Sequence, residues 1–428
     1  MNAHIISVRV CNFLAFSETV ELSMFANKKI KRMLTNTYDV KSLRIVKSAC
    51  LYGPNNVGKT CLARAILSIK NILLSVAANV SPNIYSNSKV CEFGITFSVD
   101  EHVYEYNVKY DGKQINGSAR KFVYEKFSEH ILDGRDKDKV KTIFLKDFEN
   151  HITKFPENKE IENAMSLVSG DNLLVYVLNQ DKYSSIKCIR NLFRSFAEKI
   201  EVIDMNNIPI EKTLGMLKKD NNLKKRVVDL ISRADVEIED YTYKKPTSTS
   251  MTQMRTPLNM PQEEVLMVQK MFTELLGITS THKGKEVPSI FFDSTGTKKI
   301  AALAGYVVEA LEQGKILVVD ELDSSLHYKL TRAIVAMFNN IANKNAQLIF
   351  TAHDIMLLDC KRLFRKDQIH FVNRNDEGNV EIYSLDDFKS TEGFRSESDV
   401  INHYDRGDFG AISDPDLIGI LLEGGSDE

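Results

Sequence analysis

One eight-residue run constrains this 428-residue chain more than any other: Gly53-Pro54-Asn55-Asn56-Val57-Gly58-Lys59-Thr60. It fits the pattern G-x-x-x-x-G-K-[ST] and sits where the hydrophobic period changes. Before it, "SLRIVKSACLY" reads as a largely apolar strand; after Gly58, "KTCLARAILSIKNILLSV" repeats like a helix. Glycines at both ends let the backbone curl, so that successive N–H groups point at one phosphate group. The helix N-terminus adds a favourable dipole. In such a loop Lys59 reaches the β- and γ-phosphates and the Thr60 hydroxyl ligates Mg²⁺. The expected ligand is ATP with Mg²⁺, held by Gly53 through Thr60.

A phosphate cradle alone does not hydrolyse anything, so a second, acidic element is needed. "KILVVDEL" is a buried-strand pattern that ends in Asp320 and Glu321. Apolar strands often end in acids, but behind a phosphate loop in the same chain the pair acquires a reading. Asp320 is expected to act on Mg²⁺ and Glu321 to orient the attacking water as the catalytic carboxylate. Side chains alternate along a strand, so the two acids cannot both face the metal and are expected to divide the roles. Past the next apolar strand, "QLIFTAHD" places His353. A lone histidine is more often structural; at this edge it is expected to hydrogen-bond the γ-phosphate or the attacking water, as a catalytic group beside Lys59 and Glu321.

Composition narrows the setting. Lys and Arg number 56 against 58 Asp and Glu, so nucleic acid could be held only by a local patch. The six cysteines lie far apart without metal-ligand spacing, which suits a reducing compartment. The N-terminus lacks a charged-then-apolar leader and no run reaches membrane-spanning length. A cytoplasmic protein without membrane contact is expected. Strand and turn patterns run from Val90 to about Val123, with "YDGK" as a hairpin turn, and helical patterns begin near Asn158. Residues 244–261 are polar, proline-containing and aperiodic, which reads as a linker. "VPSIFF" reads as strand-like, and the polar tail "FRSESDVINHYDRGDFGAISD" is expected to pack on the core. Three regions follow: 1–150, an N-terminal lobe with the phosphate loop and antiparallel strands; 151–285, a mainly helical insert; 286–428, a C-terminal lobe.

The order of the phosphate loop, "STGT", "VVDE", "LDSSLH" and "TAHD" resembles the ABC-type ATPases, in the branch near the OLD, RecF and SMC proteins. The likeness covers about Met1 to Val123 and Pro288 to Pro415, including the opening "VRVCNFLAFSETVEL". It implies an α/β fold: an ABC-type core with a mixed sheet, an antiparallel β subdomain and a helical insert. It also implies that "STGTKK" is a degenerate signature segment. Ser294 and Gly296 would then bind the γ-phosphate of nucleotide held by another copy's loop, and "LDSSLH" would place Asp323 at the seam between copies. A plain helix N-cap at Ser294 is compatible with that. Phe13 and Phe16 are candidates for base stacking; no glutamine loop is identified, although Gln114 and Gln180 exist.

Two nucleotides sandwiched between copies imply a homo-oligomer, a dimer or a larger even-numbered assembly, switched by ATPase turnover. Fewer than about eighty residues follow His353, too few for the nuclease domain of OLD-type relatives. A protein effector, toxin or nuclease, is therefore expected in trans, with a phage protein as trigger, as in the bacterial anti-phage defence ATPases of the PARIS and Septu kinds that the chain also resembles. The alternative is a RecF- or SMC-like ATPase of DNA repair, with nucleic acid reached through Lys218, Lys219, Lys224, Lys225 and Arg226. A solvated helix face is the simpler reading of that cluster.

Overall fold

The computed structural model describes residues 1–78, 80–111, 121–132, 139–219, 222–234, 238–245, 262–388 and 400–411. In chain order come β1 (Ala3–Cys11), β2 (Val20–Ser23), β3 (Thr37–Val40), β4 (Leu43–Val46), β5 (Ser48–Tyr52) and α1 (Lys59–Leu73). Next are β6 (Val90–Val99), β7 (His102–Asp111), β8 (Lys121–Ile131), β9 (Lys139–Asp147) and β10 (Ile152–Lys154). Helices α2 (Lys159–Ser166), α3 (Leu174–Val177) and α4 (Ser184–Ala197) precede β11 (Ile200–Asp204), α5 (Glu211–Leu217), α6 (Asn222–Ala234), β12 (Asp240–Tyr243) and α7 (Gln262–Leu276). The rest comprises β13 (Ile278–His282), β14 (Lys285–Pro288), α8 (Ser289–Phe292), α9 (Thr295–Gln313), β15 (Ile316–Asp320), α10 (Tyr328–Asn339), β16 (Gln347–Thr351), β17 (Ile369–Arg374), β18 (Val380–Ser384) and α11 (Val400–Asp405).

A six-stranded sheet in the order β11-β15-β16-β5-β17-β18 forms the centre. Its first five strands are parallel and β18 pairs antiparallel with β17. Both faces are covered, which is why β5 and β15 are apolar almost throughout. Alternation sorts their side chains. Ala49, Leu51, Ile316, Val318 and Ile349 join the core that also holds α1 and α4. Cys50, Tyr52, Leu317, Val319, Leu348 and Phe350 join the core built with α9 and α10. A seven-stranded antiparallel sheet, β10-β9-β8-β7-β6-β1-β2, packs into the first of these cores. The fold is α/β, a mixed P-loop core joined to an antiparallel β subdomain.

The segment read as helical from Asn158 carries more than helices. It supplies β11, an edge strand of the central sheet, paired in register from Ile200↔Ile316 to Asp204↔Asp320. Helix α4 is part of the main core: Phe196 stacks on Phe97 (4.1 Å, 22°), and Phe193 meets Tyr106 and Phe127 edge-on. Each buried phenylalanine contributes about 2–3 kcal/mol. The antiparallel strands continue to Lys154, beyond the limit near Val123 that alternation had suggested. "VPSIFF" is not a strand. Pairing ends at Pro288, and Ser289–Phe292 make one helical turn closed by the Asp293 N–H donating to the Ser289 carbonyl and the Ser289 hydroxyl donating to Asp293 Oδ2. In the tail, α11 packs as expected: Tyr404 stacks on Phe371 at 5.7 Å, and Phe409, just past the helix, stacks on Phe371 at 4.9 Å. The glycine of the "YDGK" turn, Gln114 and residues 246–261 lie outside the described residues. All six cysteines are free thiols, and among the described residues no helix is long and apolar enough to cross a membrane.

One buried acid ties this assembly together. Glu125 of β8 is fully enclosed; it accepts from Tyr106 Oη (3.1 Å) and from the Leu174 N–H (3.1 Å), fastening α3 to the sheet. Burial raises its pKa from 4.5 to about 7, against the two hydrogen bonds. Below 4.5 folded and unfolded chains both carry the proton. As pH rises from there to 7 the unfolded chain releases it and the folded chain does not, so this group progressively destabilises the fold. Glu125→Gln removes that dependence. The stability of the variant relative to the parent should therefore rise by about 3 kcal/mol at most between pH 4.5 and 8. Urea melts at the two pH values read it; a difference that stays constant with pH would refute the assignment.

Candidate nucleotide site

Three neighbouring parallel strands, β15, β16 and β5, end on one edge of the central sheet, and the expected site residues follow them. Gly53 leaves β5 at φ 155°, Asn56 has φ 63° and Gly58 has φ 112° before α1 begins. A Cβ on Gly53 would lie 2.1 Å from the Val372 carbonyl oxygen, so the loop closes against β17 only with glycine there. Asn55 and Asn56 are exposed, Pro54 and Thr60 half-buried, Val57 buried. The Lys59 ammonium is curled back, donating to the carbonyls of Gly53 and Pro54 (2.7 Å each). Burial lowers its pKa, while Asp320, Glu321 and Asp323 pull the other way. Those three carboxylates therefore act on the lysine across the edge, although more than 250 residues of chain separate them from it.

Asp320 continues the face of Ile316 and Val318, the side on which α1 lies. Its Oδ1 accepts from Thr351 Oγ1 (2.7 Å), which fixes the carboxylate without occupying Oδ2. Glu321 turns off the strand at φ 54°, its N–H donating to the same Thr351 hydroxyl (2.7 Å). Glu321 lies one residue past the end of β15, so this left-handed turn, not strand alternation, sets its direction apart from that of Asp320. Among the described residues no group of three or more His, Cys, Asp or Glu could cage a metal. One buried carboxylate and the Thr60 hydroxyl at a helix start suit Mg²⁺, which keeps most of its shell as water and phosphate oxygen.

Asp323 accepts, through Oδ2, from the backbone N–H groups of His353 (2.7 Å) and Asp354 (2.6 Å). Within one chain it therefore sets the loop that carries the exposed His353 ring. Ser294 caps α9, its Oγ accepting from the Thr297 N–H (3.0 Å). Gly296 backs onto the turn after Glu321: a Cβ there would lie 3.0 Å from the Ser325 carbonyl oxygen. Lys299 donates to the Ser324 and Ser325 hydroxyls of that turn. Phe13 and Phe16 are fully buried and cannot stack on a base.

Two residues were not singled out in the sequence. Thr351 holds Asp320 and the Glu321 backbone; a polar residue ending a strand next to an acid-tipped one is its only signal. Asn206, just past β11, donates through Nδ2 to Glu321 Oε2 (2.7 Å) and accepts from Ser324 Oγ (2.9 Å). Nothing in "MNNIP" marks it, because β11 was not recognised as a neighbour of β15. Asn206→Ala should lower kcat for ATP about 10- to 100-fold with KM little changed, the effect of losing one hydrogen bond to a charged group. Steady-state kinetics test this: KM rising with kcat intact would assign Asn206 to binding instead.

A glycine loop opening a helix, with an acid-tipped parallel strand on the far side of β16 in a sheet covered on both faces, defines an α/β P-loop core. The chain belongs to the family described as "AAA domain, putative AbiEii toxin, Type IV TA system", which matches residues 48–359. A comparison with curated proteins gave no match. Among solved structures the chain is similar to an SMC head domain from Thermotoga maritima, at 12% identity and TM-score 0.41, over 89% of this chain and 98% of that one. It is similar also to an SMC head bound to the C-terminal domain of ScpA derived from Pyrococcus furiosus, at 12% identity and TM-score 0.41, over 89% and 96%.

Proposed function

We propose that the chain binds Mg²⁺–ATP on the edge formed by β5, β15 and β16 and hydrolyses it as a homo-oligomer whose turnover governs a separate protein effector, a toxin or nuclease, in anti-phage defence. The observation that carries the ATPase part is one sheet edge on which the glycine loop with Lys59 follows β5 and Asp320, fixed by the Thr351 hydroxyl, ends β15. In this reading Gly53 to Gly58 present N–H groups to the phosphates, and Lys59 exchanges its two carbonyl contacts for phosphate oxygens. Thr60 and Asp320 hold Mg²⁺, which supplies charge neutralisation on the phosphates. Glu321 accepts the proton of the attacking water, and His353 faces the γ-phosphate. Ser294 and Gly296 close the site of another copy, and Asp323 couples the two.

The defence role rests on the resemblance and on a family description that names a toxin–antitoxin system. The repair reading finds less support. Of its five basic residues, Lys218 is paired with Glu274 and Arg226 with Glu312, which consumes part of the charge a phosphate backbone would need.

Mixing variants tests the shared site. Lys59→Ala and Ser294→Arg chains should each hydrolyse ATP at under about a tenth of the parent rate. Combined in proven mixed oligomers, they should recover a measurable fraction, because one site then has both an intact loop and an intact Ser294. No recovery would sink the arrangement in trans while leaving ATP binding intact. Stimulation of turnover by DNA, lost at high salt, would favour the repair reading.

A further inference from the structure

Helix α7 does not behave like the other long helices of the fold. Where α4 buries five residues, none of the described side chains of α7 is buried. Leu266, Met267, Val268 and Met271 on it, and Phe291 and Phe292 on the adjoining turn α8, are between 41% and 73% exposed. The two elements pack against each other and against β13. Large side chains carry about 150–250 Å² each, so at these exposures the six leave on the order of 500–900 Å² of surface bare. That is at or above the upper end of the largest patch on a typical monomer, about 300–600 Å². It approaches the roughly 800 Å² that each partner commits to a stable complex.

We propose that this α7–α8 face binds the same face of a second copy of the chain, in a contact that needs no nucleotide. Three observations choose that occupant. First, the exposed area is close to half of a stable interface. Second, α8 runs through Asp293 directly into Ser294, the segment proposed above to face another copy, so one neighbouring chain can cover both. Third, the helix is self-complementary in charge. Glu263 and Glu264 precede Met267 and Lys270 follows it. An antiparallel pairing about a two-fold axis near Met267 sets the acidic first turn of one copy beside Lys270 of the other, as an isologous interface requires. The methionines suit such a contact because their unbranched side chains adapt to one another.

The inference goes beyond the ATPase reading, and its failure is separable from the failure of that reading. ATP binding without dimerisation in nucleotide-free buffer overturns only this proposal; a nucleotide-free dimer that binds no ATP overturns only the other. Sedimentation velocity of the full chain, without nucleotide at about 1–50 µM, should show a species of two chain masses. Met267→Glu/Met271→Glu should shift it to one chain mass, weakening association at least about 100-fold, with binding of a fluorescent ATP analogue unchanged. Phe291→Ser/Phe292→Ser, on a different element, should do the same and decides the matter if the glutamate pair fails to fold. A parent chain that sediments as one copy at the top of that range would overturn the proposal and assign the face to residues 246–261 or to another protein. So would folded variants of both pairs that remain dimeric.

Discussion

Glu321→Gln is expected to slow ATP hydrolysis by about 10²–10⁴-fold while ATP binding persists, the range a positioned general base commands. Binding survives because the substitution leaves the phosphate loop, Lys59 and Asp320 in place. Gln also keeps the length of the side chain, so its amide oxygen can still accept from Asn206 Nδ2 as Glu321 Oε2 does. What disappears is the ability to take a proton. The left-handed backbone at Glu321, φ 54°, and the Thr351 hydroxyl under its N–H hold the residue off the strand axis. The carboxylate is therefore presented at the sheet edge and not back along it. Phosphate release assays give turnover, and equilibrium binding of a fluorescent ATP analogue gives affinity. A variant that binds poorly, or that hydrolyses within about threefold of the parent rate, would show that another group is the base. Because ATP would then persist, the variant should also accumulate the nucleotide-bound oligomer.

Gly53→Ala should cost about 2–5 kcal/mol of stability and abolish nucleotide binding. Two physical terms add. The φ of 155° is one that residues with a side chain rarely adopt, and the new methyl would lie 2.1 Å from the Val372 carbonyl oxygen and 3.2 Å from Val57. That neighbour is backbone of a central strand, paired with β18 through Ile382, so it cannot give way cheaply. Relief would have to come from opening the loop, which moves the N–H groups that would face phosphate. Gly215 in α5 is the control. A Cβ there meets nothing within 4 Å, and alanine should stabilise that helix by about 0.5–1 kcal/mol. Thermal melts and nucleotide titrations of the two variants make the comparison. Equal effects would mean that close approach at Gly53 does not organise the loop.

How much of this was legible beforehand differs from element to element. The phosphate loop, α1 and β15 were legible because each has a strong local rule. Glycines are demanded by backbone geometry, a 3.6-residue period marks the helix, and a strand covered on both faces must be apolar. Helix α9 and its cap at Ser294 were legible on the same grounds, Ser being able to satisfy the Thr297 N–H. "VPSIFF" failed for a local reason as well. Its apolar run suited a strand, but Ser289 and Asp293 close a turn through side-chain and backbone hydrogen bonds that a hydrophobicity pattern does not register. Phe13 and Phe16 failed for a non-local one: α1 and the antiparallel sheet close over them.

The sequence by itself determined the local pieces: a glycine loop at Gly53 to Thr60 opening a helix, an acid pair at Asp320 and Glu321 closing an apolar strand, and a capped helix at Ser294. Those follow from steric and periodic rules that act within a few residues. Only the tertiary structure decided that β11 lies beside β15 and brings Asn206 to Glu321, that Thr351 clamps Asp320, and that Asp323 sets the His353 loop. It also left α7 and α8 bare. The physical reason is that parallel pairing and core packing join residues from 30 to 115 positions apart through contacts no local pattern encodes.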